Sequence, residues 1–213
     1  MINKKIENQS NDSLFFTRSN LDNSKVDKIV SDSLHKADDG ELFMEFCESE
    51  SFVYDDQRLK SASFDTSKGF GLRAIAGESS GYAHSSDIDE NALKKASETV
   101  NFITKDHNAN FNANFSKTNR KLYNEINPIN ETEFSEKVET LKKIDEYARS
   151  KNPNVKQVSA SLNGEWQAVR IYRPGGIMIE DLRPLVRLYV SIVLEKDGRQ
   201  ENGSRGSGGR VDY

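Results

Sequence analysis

Apolar residues in the first hundred positions fall into two rhythms. Val26, Ile29, Val30, Leu34 and Ala37 recur every three or four residues, which predicts a helix over residues 23–37 with one buried stripe. Asp38-Asp39-Gly40 ends it, with Gly40 suited to a left-handed residue after the helix. From residue 41 to 86 the period is two: Leu42, Met44 and Phe46 alternate with Glu41, Glu45 and Cys47. Turn signals at Asp55-Asp56, Ser67-Lys68-Gly69 and Gly77-Glu78-Ser79-Ser80-Gly81 cut this stretch into short antiparallel strands. A second helix is expected after Asp87, with Glu90 closing a capping box and Leu93, Ala96, Val100 and Ile103 buried.

Residues 104–130 break the rhythm. Eight of these 27 residues are Asn and no period is present, as in a long surface loop. A third helix is predicted over residues 133–149, with Phe134, Val138, Leu141, Ile144 and Ala148 on its apolar face. Strands follow at 155–162, 165–172 and 185–195. The last alternates Val186, Leu188, Val190, Ile192 and Leu194 with Arg187, Tyr189 and Ser191, a strand with one face buried. Asp197-Gly198 is a hairpin turn.

The order is thus helix then antiparallel strands, twice over. The fold class is α+β, with antiparallel sheets, packed helices and two similar halves. The boundaries are a tail at 1–20, a first half at 21–103, the Asn-rich loop at 104–130, a second half at 131–200, and a Gly-rich segment at 201–213. That last segment carries Arg205 and Arg210 among glycines and serines. It reads either as a flexible tail or as chain passing into a further element.

Composition narrows the function. Hydrophobic residues are 35% of the chain and charged residues 30%, with a net charge of −4. Both signs are interleaved, so nucleic acid is not an expected partner. No run reaches the ~18–20 apolar residues of a membrane span, and the first eight residues lack the apolar core of a secretory signal. The one cysteine, Cys47, excludes an internal disulfide and a Cys-only zinc cluster. A cytoplasmic location is expected.

Three short patterns carry chemistry elsewhere. Gly77–Gly81 matches G-x-S-x-G, but strand-like alternation resumes at once through Tyr82 and His84, which favours a hairpin over a nucleophile elbow on Ser79. Gly69-Phe70-Gly71-Leu72-Arg73-Ala74 matches G-x-G-x-x-A, yet it lies inside a strand and not at a strand-to-helix junction. His35, His84 and His107 are far apart and form no ligand pair, and only His84, at a strand end, could face a cleft.

Several blocks then resemble, in order, the N-terminal region of the TldD/PmbA family, within its TldD branch. They are Asp39-Gly40-Glu41-Leu42-Phe43, Lys60-Ser61-Ala62-Ser63-Phe64-Asp65, GFGLRAIAG at 69–77, Gly81-Tyr82-Ala83-His84-Ser85, and DLRPLVRL at 181–188. The resemblance runs from about Leu14 to Tyr213. It implies a zinc metalloprotease, formerly called a modulator of DNA gyrase, that pairs with a PmbA/TldE-like subunit and cleaves unfolded or extended peptides in peptide maturation and antitoxin degradation. The family's His-Glu-x-x-x-His motif and later cysteine are absent from this sequence. The chain is therefore expected to be inactive by itself, with no catalytic, metal or cofactor-binding residue, and zinc is expected in a C-terminal domain. Residues expected at the peptide channel or a domain contact are His84, Arg183, Arg205, Gly208, Gly209 and Arg210. The edge of the strand at 185–195 could hold an extended peptide. A stand-alone peptide- or subunit-binding module, or the relic of a split gene, is the alternative.

Overall fold

The computed structural model describes residues 12–17, 19–107 and 122–213. Its elements are α1 (Asp12–Phe16), α2 (Asn23–Leu34), β1 (Asp39–Asp55), β2 (Arg58–Ala76), β3 (Ser79–Ser85), α3 (Glu90–Thr104), α4 (Pro128–Glu131), α5 (Phe134–Lys151), β4 (Val155–Arg173), β5 (Ile177–Lys196) and β6 (Arg199–Gly209). The strands form one antiparallel sheet in the order β3-β2-β1-β4-β5-β6. The α+β class holds, and a helix followed by three strands occurs twice, as α2-β1-β2-β3 and α5-β4-β5-β6.

Two compact units divide the chain. The first comprises residues 1–46, 67–119 and 168–181; the second comprises 47–66, 120–167 and 182–213. Each gathers separate segments, whereas the sequence boundaries at 21–103 and 131–200 are contiguous. In the first unit α2 buries Val26, Val30 and Leu34, and α3 buries Leu93, Ala96 and Val100. The two helices meet at Ser33, whose hydroxyl donates to Ser97 Oγ at 2.7 Å. In the second unit Leu141 of α5 packs with Phe52, Tyr54, Ala160, Leu162 and Val186.

Several elements differ from the sequence expectation. The strands are long, not short: β2 runs unbroken through Ser67-Lys68-Gly69, and β4 fuses 155–162 with 165–172. The other expected turns are present, at Asp56-Gln57 (one residue on from Asp55-Asp56), Gly77-Glu78 and Asp197-Gly198, with positive φ at Asp56, Gln57, Gly77, Asp197 and Gly198, as hairpin loops of this length require. Gly40 is not a left-handed cap. It lies in β1, where a Cβ would stand 2.5 Å from the Arg73 carbonyl oxygen and 2.9 Å from Leu34 Cδ2. Asp89, not Asp87, caps α3, its carboxylate accepting from the Ala92 amide at 2.8 Å.

The stretch read as an N-terminal tail contains α1, with Phe15 and Phe16 buried. Of the Asn-rich segment, 108–121 lie outside the described residues; Thr104 ends α3, and Asn127 caps α4. The Gly-rich segment at 201–213 is mostly strand β6, paired with β5 from Lys196↔Arg199 to Val186↔Gly209. Since β5 has β4 on one side and β6 on the other, the edge expected at 185–195 is not available.

Candidate functional site

Strand alternation builds a two-faced sheet in the second unit. Phe52, Tyr54, Ala160, Leu162 and Val186 point to α5. Residues of the other parity on these strands point the opposite way, and many are polar. There Ser49, Ser51, Ser63, Asp65, Ser161, Asn163, Glu165, Arg187 and Tyr189 line an open groove of about 650 Å³, with Leu185 beside them. Serine hydroxyls and the Asn163 amide both donate and accept, so the groove can match backbone amides or hydroxyls without selecting one side chain. Asp65, Glu165 and Arg187 add charges of both signs.

Beneath the groove lies a buried ion pair that the helical periodicity did not reveal. Lys137 of α5 donates from Nζ to Glu50 Oε1 at 2.5 Å and to the Ile129 carbonyl at 2.9 Å. Side-chain exposure is 2% for Lys137 and 8% for Glu50. Tyr213 Oη donates to the same carboxylate oxygen at 2.5 Å, and its ring centre lies 4.6 Å from the ammonium. Burial, reinforced by the hydrogen bond to anionic Glu50, drives the Tyr213 phenol far above its ordinary value. Gly164 is glycine here because a Cβ would collide with the Tyr213 hydroxyl. Phe134, expected inside, is 56% exposed, since Lys137, Leu141 and Asp145 form the buried face of α5. A lysine among apolar positions is read as a break in the stripe, and only its distant partner Glu50 explains its burial.

The residues singled out from sequence do not form one cluster. His84 is exposed on β3, opposite Gly71, with its ring stacked on Tyr82 at 5.7 Å in the first unit. The other five lie in the second unit. Arg183 Nη1 donates to Gln167 Oε1 at 3.3 Å. Arg205 is exposed on β6 opposite Val190, and Gly208 and Gly209 lie opposite Arg187 and Val186. A Cβ on Gly208 would run into the Val186 carbonyl oxygen. Arg210 donates to the Pro184 carbonyl at 3.4 Å and stacks on Tyr123 at 5.1 Å. Ser79 opens β3 immediately after the Gly77-Glu78 turn, so the G-x-S-x-G match is a hairpin.

The chain belongs to the PmbA/TldD metallopeptidase family. Residues 40–101 match the model of PmbA/TldA metallopeptidase domain 1, and residues 127–213 match that of the central domain. Among curated relatives, a "Metalloprotease TldD homolog" from Haemophilus influenzae is 34% identical over 198 residues, which cover 91% of this chain and 41% of that protein. One of the same description from Buchnera aphidicola subsp. Acyrthosiphon pisum is 29% identical over 177 residues, 83% of this chain and 37% of its own. This chain thus spans about two fifths of the length of these relatives.

Solved structures share the fold. A protein described as a modulator of DNA gyrase from Bacteroides thetaiotaomicron superposes with a TM-score of 0.68 at 14% identity, covering 88% of this chain and 45% of that one. TldE from Thermococcus kodakarensis gives a TM-score of 0.59 at 17% identity, covering 88% and 42%.

A metallopeptidase implies a metal, and the residues described here do not fit one. Among them no three His, Cys, Asp or Glu side chains converge as ligands. His35 Nδ1 lies 2.8 Å from the Asp32 carbonyl oxygen, and His107 Nε2 lies 2.9 Å from Asp38 Oδ2. Among the described residues no helix is long and apolar enough to cross a membrane.

Proposed function

We propose that this chain supplies domain 1 and the central domain of a TldD-type zinc metalloprotease. With a PmbA/TldE-like subunit, that enzyme cleaves unfolded or extended peptides in the cytoplasm, in peptide maturation and antitoxin degradation. The carrying observation is the ordered match of both domain models, joined by TldD relatives that align over as much as 91% of the chain.

In this reading the chain is non-catalytic and borders the peptide path. The groove on the polar sheet face supports the role: its hydroxyls and its amide suit an extended backbone, and no histidine stands among its lining residues to activate a serine. Arg187 lines it from β5, while Arg205, opposite Val190, lies on the other face of the sheet and is a contact residue towards an adjoining domain. Arg183, Gly208, Gly209 and Arg210 are contact residues towards the peptide path or an adjoining domain, as is His84 in the first unit. Zinc and its ligands belong to a C-terminal domain of the enzyme.

The test is the intact mass and zinc content of the native product, captured from its own cells with an antibody to this chain. A mass about twice 24.1 kDa with bound zinc, and cleavage of an extended peptide once the PmbA/TldE-like subunit is added, is the expected result. A zinc-free native product of 24.1 kDa would replace the protease reading with a stand-alone binding module.

A further inference from the structure

Among the described residues that line the groove, Arg187 is the only cation, and its guanidinium engages no acceptor. Asp65 and Glu165 are likewise unengaged, whereas the third lining carboxylate, Glu50, is already held by Lys137 and Tyr213. Glu165 is on β4, the strand next to β5, yet it stays outside ion-pair range of the guanidinium. Asp65 is on β2, three strands away from Arg187.

Strand alternation sets what surrounds that free charge. Leu185, Arg187 and Tyr189 fall at every second residue of β5 and share the groove face, and all three are exposed. Across from them on β6, a Cβ at Gly206 would stand 3.5 Å from Tyr189 Cδ2 and 3.9 Å from Arg187 Nη2. The ring and the guanidinium therefore lie together over that glycine. Leu185 and Tyr189 form apolar shoulders on either side of a cation. A ligand group seated on Arg187 is partly shielded from water by them, which strengthens a charged hydrogen bond. Ser161 and Asn163, on β4, offer further donors for oxygen lone pairs that the guanidinium leaves unfilled.

The charge pattern narrows the ligand. A guanidinium presents a planar fork of N–H donors that matches the two oxygens of a carboxylate. A phosphate monoester fits the same fork but brings nearly two negative charges. Two free carboxylates already face one guanidinium in this groove, so a dianion is repelled more than a single carboxylate. A run of acidic side chains is disfavoured for the same reason. The groove suits a peptide with one carboxylate at β5 and uncharged groups along the serines.

We infer that Arg187 is a specificity-determining residue of the groove, reading one carboxylate of an extended peptide, from an acidic side chain or from the peptide's own C-terminus. This rests on the reading of the groove as part of a peptide path.

Isothermal titration calorimetry on the 213-residue chain tests it with three acetylated heptapeptides of alanine and serine. The first has a central glutamine and an amidated C-terminus. The second has glutamate in place of the glutamine, and the third keeps the glutamine but has a free C-terminal carboxylate. The expected result is that at least one acid peptide binds about tenfold more tightly than the neutral one, as one charged, bidentate contact supplies. A gain for the glutamate peptide identifies a side-chain carboxylate, and a gain for the free C-terminus identifies a chain end. Arg187→Gln brings the three peptides to one affinity, and Arg187→Lys keeps part of the gain, since the charge remains without the fork. Glu165→Gln removes a like charge and tightens the acid peptides about twofold; it carries the test if circular dichroism shows the Arg187 variants unfolded. Lys143→Gln, on the exposed side of α5, changes no affinity. Equal affinities of the three peptides for the parent chain, or a gain that survives Arg187→Gln, would overturn the inference and leave the peptide path standing. Failure of every peptide to bind would overturn the reading of the groove together with it.

Discussion

Lys137→Met is the most informative single perturbation of this fold. Lysine and methionine are similar in volume, so the change removes charge while largely keeping packing. It deletes two charged hydrogen bonds, to Glu50 and to the Ile129 carbonyl, and the ammonium's contact with the Tyr213 ring. Glu50 keeps the Tyr213 hydroxyl, but its side chain is only 8% exposed and cannot rehydrate without local opening. Removing one partner of a buried pair costs about 3–5 kcal/mol. With a urea m-value of about 2 kcal/mol/M, the unfolding midpoint falls by roughly 1.5–2.5 M. Trp166 is the only tryptophan, is buried, and belongs to the same unit, so its fluorescence reports the transition directly. The double variant Lys137→Met/Glu50→Leu removes both charges and should return to within about 1.5 kcal/mol of the parent. A single variant that loses less than about 1 kcal/mol would refute the reasoning, as would a double variant with additive losses.

Three further outcomes follow from the same geometry. Because the folded Tyr213 phenol is held above its ordinary value near 10, the unfolded chain ionises first; its contribution is complete below pH 10 and declines as pH rises beyond it. Tyr213→Phe should flatten the alkaline slope of the urea midpoint, leaving a residual slope from Tyr172, whose phenol burial also raises. Gly40→Ala forces a methyl against the Arg73 carbonyl and Leu34 and should cost about 1–3 kcal/mol in thermal unfolding. Asp89→Ala removes the α3 cap and should cost about 1 kcal/mol, a melting shift of roughly 2–4 °C at this chain length.

Periodicity located the helices of both units because their burial is local: Val26, Val30 and Leu34, or Leu93, Ala96 and Val100, lie on one stripe whatever they pack against. It failed where the cause is distant. Ser67-Lys68-Gly69 has turn composition, yet β2 continues through it, and Gly69 instead allows close approach to the Ser85 carbonyl at 2.8 Å from a notional Cβ. Lys137 looks like a polar break in an apolar face until Glu50, 87 residues earlier, is placed beneath it. The groove was not legible either. Its serines are unremarkable on each strand and become a lining only when β2, β1, β4 and β5 lie side by side. The Gly-rich segment misled most: glycine and serine suggest flexibility, but the Asp197-Gly198 hairpin fixes their register against β5.

Four of the six strands change unit partway along: β1 after Phe46, β2 after Thr66, β4 after Gln167 and β5 after Asp181. During vectorial synthesis, the first unit therefore lacks its last segment until Asp181 has left the ribosome, and the second unit waits for Tyr213. An emerging chain of 100 residues has α2, β1, β2 and β3 but not the β4 segment that lies beside β1. Folding is thus delayed to the end of translation of this region and depends on non-local strand pairing, the slow regime of chain topology. Nascent chains from which β4 has not yet emerged would expose β1 as an unpaired edge, and these are the species a chaperone would be expected to hold.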